Sequence, residues 1–216
     1  VRLTNGHNEL VLANRNGRAV RFDENAVRAM GRVSTGVRGM RLDGGDDEVV
    51  GMVVVNKPDE ETIMVVSENG YGKRSLVEDY RVTNRGGKGV KTLGITEKTG
   101  RLVAIKVVTD ENDLMIINKS GIVIRLSVKE CRVMGRATQG VRLINLTKKN
   151  DVIASVCKVM SSELEAVVED ESRKQMVATN ERINQDSTSA PATQFEDGDH
   201  IEESDSVADN NDVNNE

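Results

Sequence analysis

The sequence predicts an all-β chain: a propeller-like repeat of four-stranded blades with a disordered acidic tail. Three observations carry that prediction. A pattern of about fifty residues occurs three times, each copy holds a glycine turn at the same place, and the charge reverses near residue 160.

The copies are Glu9–Val55, Thr62–Val108 and Asp113–Val159. Offsets of 53 and then 51 residues superpose Gly17, Gly70 and Gly121, and likewise Arg21, Arg74 and Arg125. The same offsets superpose Arg28/Arg81/Arg132, Arg32/Arg85/Arg136, Gly36/Gly89/Gly140 and Arg38/Lys91/Arg142. Chance does not align so many positions at one pair of offsets.

Each repeat opens with a short apolar run, Leu10–Ala13, Ile63–Val66 or Leu114–Ile117. It then meets Asn16-Gly17, Asn69-Gly70 or Ser120-Gly121. Asn-Gly supplies the positive φ angles of a two-residue type I′ turn, so a β-hairpin is expected here. The second strand follows (Ala19–Phe22, Lys73–Leu76, Val123–Leu126), with one helical turn near Glu24–Arg28. A basic connection leads to a third strand (Val37–Leu42, Val90–Ile95, Val141–Leu146), and a polar turn to a fourth (Val49–Val55, Leu102–Val108, Val152–Val159). Four short strands per unit are the pattern of a propeller blade. Val1–Thr4 reads as the end of a preceding blade, spanning residues 1–5. With no initiator Met, the chain reads as a fragment whose N-terminal part lies elsewhere. The partial array thus covers residues 1–160.

The core must be built from Val, Ile, Leu and Met, because the 216 residues include two Phe, two Tyr and no Trp. The net charge of −5 conceals two opposite halves. Residues 161–216 hold 3 basic and 16 acidic side chains, whereas residues 1–160 hold 27 basic and 19 acidic ones. The tail is too poor in large apolar groups to offset its ordering entropy. It reads as disordered, with one short helix possible within Glu163–Met176, and its charge suits competition with a polyanion for the basic body. Cys131 and Cys157 fit no metal or disulfide spacing, and the two histidines are scattered. No apolar run approaches a membrane span and no signal peptide opens the sequence, so a cytoplasmic location is expected.

The cations concentrate in the basic connections. Arg28, Arg32, Arg38 and Arg41 stand in the first, Arg81, Arg85, Lys88 and Lys91 in the second, and Arg132, Arg136 and Arg142 in the third, with no acid among them. Equivalent positions of a repeat fold face the same way, so these eleven residues are expected to form one positive track. With few aromatic rings to stack unpaired bases, such a track suits the phosphates of bent duplex DNA, approached closely at the glycines. No residue set offers base readout. Nor does any nucleophile–base pair, paired-carboxylate cleft, Walker loop or metal cluster offer catalysis; Tyr71 and Tyr80 read as structural.

The segments N-G-Y-G-K-R (69–74), V-R-A-M-G-R (27–32), T-G-V-R-G-M-R-L (35–42) and V-M-G-R-A-T-Q-G-V-R-L-I (133–144) resemble the C-terminal domain of the DNA gyrase A subunit. The resemblance covers about residues 1–160. It implies a six-bladed β-pinwheel whose neighbouring blades exchange strands, of which this chain would supply the last three. It also implies DNA wrapping within an A2B2 assembly with the DNA gyrase B subunit, which supercoils DNA negatively using ATP. ATP and Mg2+ would then be used through that B subunit and the cleavage core, and no cofactor, metal or catalytic residue falls on this chain. The family's box, Q-[RK]-R-G-G-[RK]-G, is matched at its last five positions by Arg85, Gly86, Gly87, Lys88 and Gly89, while Thr83 and Asn84 depart from its first two. The segment therefore reads as a degenerate copy of the box. The topoisomerase IV A subunit is the nearest alternative, and a protein-interaction propeller is an alternative from another class. Three regular repeats favour the first.

Overall fold

The computed structural model describes residues 1–146 and 151–161. The tail, including the helix expected within Glu163–Met176, lies outside the described residues. Among the described residues up to Met160, the regular structure is β apart from three single 3-10 turns. The strands are β1 (Glu9–Asn14), β2 (Arg18–Asp23), β3 (Val49–Val55), β4 (Thr62–Ser67), β5 (Tyr71–Leu76), β6 (Val90–Lys91), β7 (Leu102–Val108), β8 (Asn112–Asn118), β9 (Val123–Ser127), β10 (Val141–Arg142) and β11 (Ile153–Met160).

They form three antiparallel sheets in the orders β3-β1-β2-β6, β10-β5-β4-β7 and β11-β8-β9. The exchange of strands between blades is visible in these orders. β6 belongs to the second repeat by sequence but pairs with β2 of the first, through Arg18↔Lys91 and Ala19↔Val90. β10 of the third repeat pairs in the same way with β5 of the second, through Val141↔Gly72 and Arg142↔Tyr71.

Alternation along the strands distributes the core between the sheets. In β4 every residue is buried. Ile63 and Val65 pack with Val11, Ala13, Val53 and Val55 of the first sheet, while Met64 and Val66 pack with Leu114, Ile116 and Val156 of the third. A strand covered on both faces reads as the unbroken apolar run Ile63–Val66. Full burial of each such side chain contributes about 1.5–3 kcal/mol. Where the strands end, 3-10 turns at Glu24–Ala26, Val77–Asp79 and Val128–Glu130 carry the chain away from the sheet. The single helical turn expected near residue 24 thus recurs in every repeat.

Three expectations are corrected. The hairpin turns are not two-residue turns centred on Asn-Gly. Gly17 N donates to Asn14 O (3.1 Å), Gly70 N to Ser67 O (3.1 Å) and Gly121 N to Asn118 O (3.1 Å). Each glycine therefore closes a three-residue loop at positive φ (75°, 79° and 82°). Asn14 Oδ1 and Asn118 Oδ1 hold the returning strand by accepting from Arg18 N and Ile122 N, at 2.8 and 2.7 Å.

The third strand of a blade is only two residues long, because the chain turns inward straight after it. Thr92 N and Leu93 N both donate to Gly17 O, and Leu93 is wholly buried. Val37–Leu42 forms no strand at all: its counterparts each pair with the preceding repeat, and among the described residues no sheet precedes the first. For the same reason Val1–Thr4 forms no strand.

Gly89 shows how closely the repeats approach. Its φ is 75°, and a Cβ there would stand 2.4 Å from Ala19 O. Gly140 repeats this at 2.5 Å from Gly72 O, whereas Gly121 has φ 82° and open space around it. Substituting alanine at Gly121 is expected to cost about 1–2 kcal/mol for left-handed backbone alone. Gly89→Ala should cost clearly more, since backbone must also move, and urea unfolding of the two variants measures the difference.

Candidate nucleic-acid interface

The basic connections lie at the joints between repeats, where the structure assigns their arginines two kinds of position. Arg85 and Arg136 are half-buried and reach back to the preceding repeat. Arg85 donates from Nε to Ala26 O (3.0 Å) and from Nη1 to Arg38 O (2.5 Å). Arg136 repeats both bonds with Asp79 O (3.0 Å) and Lys91 O (2.8 Å). A planar guanidinium spans two carbonyls in this way; an ammonium presents no such fork.

Arg21 and Arg74 reach the other way. Arg21 donates from Nη1 to Val77 O (2.8 Å) and Tyr80 O (2.9 Å) of the next repeat, and from Nε to Glu9 (2.7 Å). Arg74 donates from Nε to Cys131 O (2.7 Å) and pairs with Asp110. Each joint is thus clasped from both sides. The sequence showed Arg21 and Arg74 as aligned positions, but their burial (8–9% exposed) and their carbonyl partners belong to the fold.

The remaining cations face solvent. Arg28, Arg81 and Arg132 are exposed at equivalent positions, as are Arg38, Lys91 and Arg142. Arg32 and Arg41 are also exposed. Arg142 lies over the Tyr71 ring at 5.9 Å, with Lys98 at 5.5 Å from the same ring. Arg81 and Lys88 line a cleft of about 310 Å³ together with Thr83, Asn84, Gly87 and Gly89.

The box-like segment is therefore a joint as much as a surface. Gly86 N donates to Gly39 O and Gly87 O accepts from Arg41 N, both at 2.8 Å. Gly86 and Gly89 adopt positive φ (83° and 75°), and Gly89 lies against the backbone of Ala19. Close backbone approach, read from sequence as an approach to a polyanion, is satisfied here by a neighbouring blade.

Acids absent from the connections in sequence return to them in space. Asp43 Oδ1 lies 2.7 Å from Lys88 Nζ, and its Oδ2 lies 3.6 Å from Arg18 Nε. The hydrogen bond from Lys88, with Arg18 and Arg41 nearby, holds the Asp43 carboxyl below the usual range. No spacing announces this pair, which is 45 residues apart, and Arg18 was not singled out by the sequence either.

Tyr80 is wholly buried, its hydroxyl 2.5 Å from Thr92 Oγ1, and burial raises its pKa. Beside it Lys73 is buried where the other repeats have Val20 and Ile124. Its Nζ donates to Ser75 Oγ (2.6 Å), which donates to Met134 O (2.7 Å). Of the cysteines, Cys131 is buried and Cys157 exposed. Among the described residues no group of His, Cys, Asp and Glu could hold a metal ion, and no helix is long and apolar enough to cross a membrane.

Antiparallel sheets that exchange strands and are clasped by arginines define a β-propeller repeat protein of the pinwheel kind. The family model described as "DNA gyrase C-terminal domain, beta-propeller" matches residues 8–56, 61–109 and 112–157, and the chain belongs to that family. The DNA gyrase A subunit of Staphylococcus aureus strain NCTC 8325 is 46% identical over 171 residues, which are 79% of this chain and 19% of that protein. Its counterpart in strain MRSA252 is 47% identical over 159 residues, 74% of this chain and 18% of its own length. The chain thus spans about a fifth of the curated relatives it matches. A solved C-terminal domain of DNA topoisomerase IV superposes with TM-score 0.69 at 27% identity, covering 79% of this chain and 53% of that one. A solved DNA gyrase A C-terminal domain gives 0.66 at 25%, covering 73% and 52%.

Two measurements test the joints. Arg136→Lys keeps the charge but loses the two-carbonyl fork, and should cost about 1–2 kcal/mol in urea unfolding. Burial lowers the Lys73 pKa from 10.5 to about 8. Between those two values the unfolded chain keeps a proton that the folded chain has lost, so folded stability rises with pH. Wild type should therefore gain stability relative to Lys73→Val as pH rises from 8 to 10.5, measured by urea unfolding of both proteins.

Proposed function

We propose that this domain binds duplex DNA without sequence readout and bends it along the face that carries the exposed cations. It would do so as the DNA-wrapping part of a gyrase A subunit. The observation that carries this reading is the recurrence of exposed cations at equivalent places in successive repeats: Arg28, Arg81 and Arg132, and Arg38, Lys91 and Arg142. The second and third members of each set stand at the two joints and the first at the matching place in the leading repeat, so phosphates spaced along a duplex would meet them in succession. Bending 20–30 base pairs by 40–90° costs about 1–6 kcal/mol, which several charge-assisted phosphate contacts offset. Among the described residues Tyr80 is buried and Tyr71 is covered by two cations, so stacking of unpaired bases has little support.

In the complete protein, wrapping would present a second segment of the same DNA to the cleavage gate. The partners would be gyrase B subunits in an A2B2 assembly, with ATP and Mg2+ used there and in the cleavage core. The similarity to a topoisomerase IV domain supports a second reading, in which the same surface binds DNA in that enzyme.

The test is end-label energy transfer on a short duplex. Arg28→Glu, Arg81→Glu and Arg132→Glu combined should abolish bending while leaving the far-ultraviolet spectrum intact, because these side chains make no clasp. If about five cations reach phosphate, log Kobs against log[salt] should have a slope of about −4 to −5. Unchanged bending in the triple variant would overturn the reading.

A further inference from the structure

At the first joint the Asp43 carboxylate lies among three cations. Oδ1 meets Lys88 Nζ at 2.7 Å and Oδ2 faces Arg18 Nε at 3.6 Å, with Arg41 acting on it through space. Arg18 Nη1 also donates to Gly89 O at 3.4 Å, so the cluster is built onto the glycine-rich loop. The acid is held from its own side by Asp43 N donating to Asp47 Oδ2 (3.1 Å), and Asp47 is buried and bonded to Asn14 Nδ2 (2.7 Å). Two oxygens set between an ammonium and a guanidinium reproduce what a backbone phosphate would present there.

The arrangement is confined to this joint. At the second joint the equivalent positions are Tyr71, Gly94, Thr96 and Gln139, none of them charged. The cluster therefore accompanies the Gly86–Gly89 loop rather than the repeat itself.

We propose that Asp43 is an internal stand-in for a DNA phosphate, occupying the Lys88–Arg18 site until a duplex displaces it. The inference rests on the duplex-binding reading above. Ion pairs this exposed hold weakly, so a phosphate exchanges with the carboxylate readily. The exchange lowers affinity at this position, because each cation that DNA meets is already partly neutralised. It also limits counterion release, since the displaced carboxylate stays close by and the cluster then neutralises less of the DNA charge.

The experiment compares duplex binding by wild type, Asp43→Asn and Asp46→Asn across a salt series. Asp46 pairs with Arg101, away from the glycine loop, so Asp46→Asn changes net charge equally. Asp43→Asn should bind about three- to tenfold more tightly near 0.1 M salt, with a slope steeper by about one. Asp46→Asn should show less than half of that gain. Asp43→Ser serves as a second variant, and Lys88→Gln combined with Asp43→Asn should erase most of the gain. Wild type failing to bind any duplex would overturn the functional reading itself. Wild type binding, with Asp43→Asn no tighter than Asp46→Asn, would overturn the stand-in alone.

Discussion

The structure depends on one constraint: no repeat completes its own sheet. β6 is carried by the second repeat and finishes the first, and β10 is carried by the third and finishes the second. A two-residue ladder is too short to hold by itself, so the joint is secured by neighbouring devices. The Thr92 and Leu93 amides converge on Gly17 O, Leu93 is buried, and arginines from both sides close on backbone carbonyls. A glycine follows from the same closeness, because at Gly89 and Gly140 the neighbouring backbone occupies the place of a Cβ.

This constraint gives the basic connections a double character. Arg85 and Arg136 bond exposed carbonyls of the preceding repeat, whereas Arg21 and Arg74 satisfy buried ones of the next. Arginine satisfies two at once and stays charged. Arginines in the same segments therefore serve the joint as well as the surface. Arg85 and Arg136 build the joint; Arg28, Arg81 and Arg132 face outward from it.

Electrostatics follow a similar division. The segregation of acids and bases along the chain does not persist in space, since Glu9, Asp43 and Asp110 each return to a cation from a connection or clasp. Glu9 and Asp110 meet arginines that are nearly buried and serve to offset desolvation. Asp43 meets cations that are half-exposed, and its role is set by the surface it shares.

Sequence by itself determined the repeat, its period and the sheet-forming runs, because alternation and glycine turns are local properties that recur at fixed offsets. Leu10–Ala13, Ile63–Val66 and Leu114–Ile117 became strands as their pattern required. It also marked which arginines are equivalent. Tertiary structure decided which strand completes which sheet, why Val37–Leu42 has no ladder, and where in each hairpin the glycine sits. It also separated clasp from surface among identical residue types, and brought Asp43 to Lys88. Apart from the hairpin glycine, whose partner Asn14 is a near neighbour in sequence, these depend on contacts between residues far apart in the chain, such as Asp43 with Lys88 and Arg18 with Lys91, for which the linear pattern carries no signal.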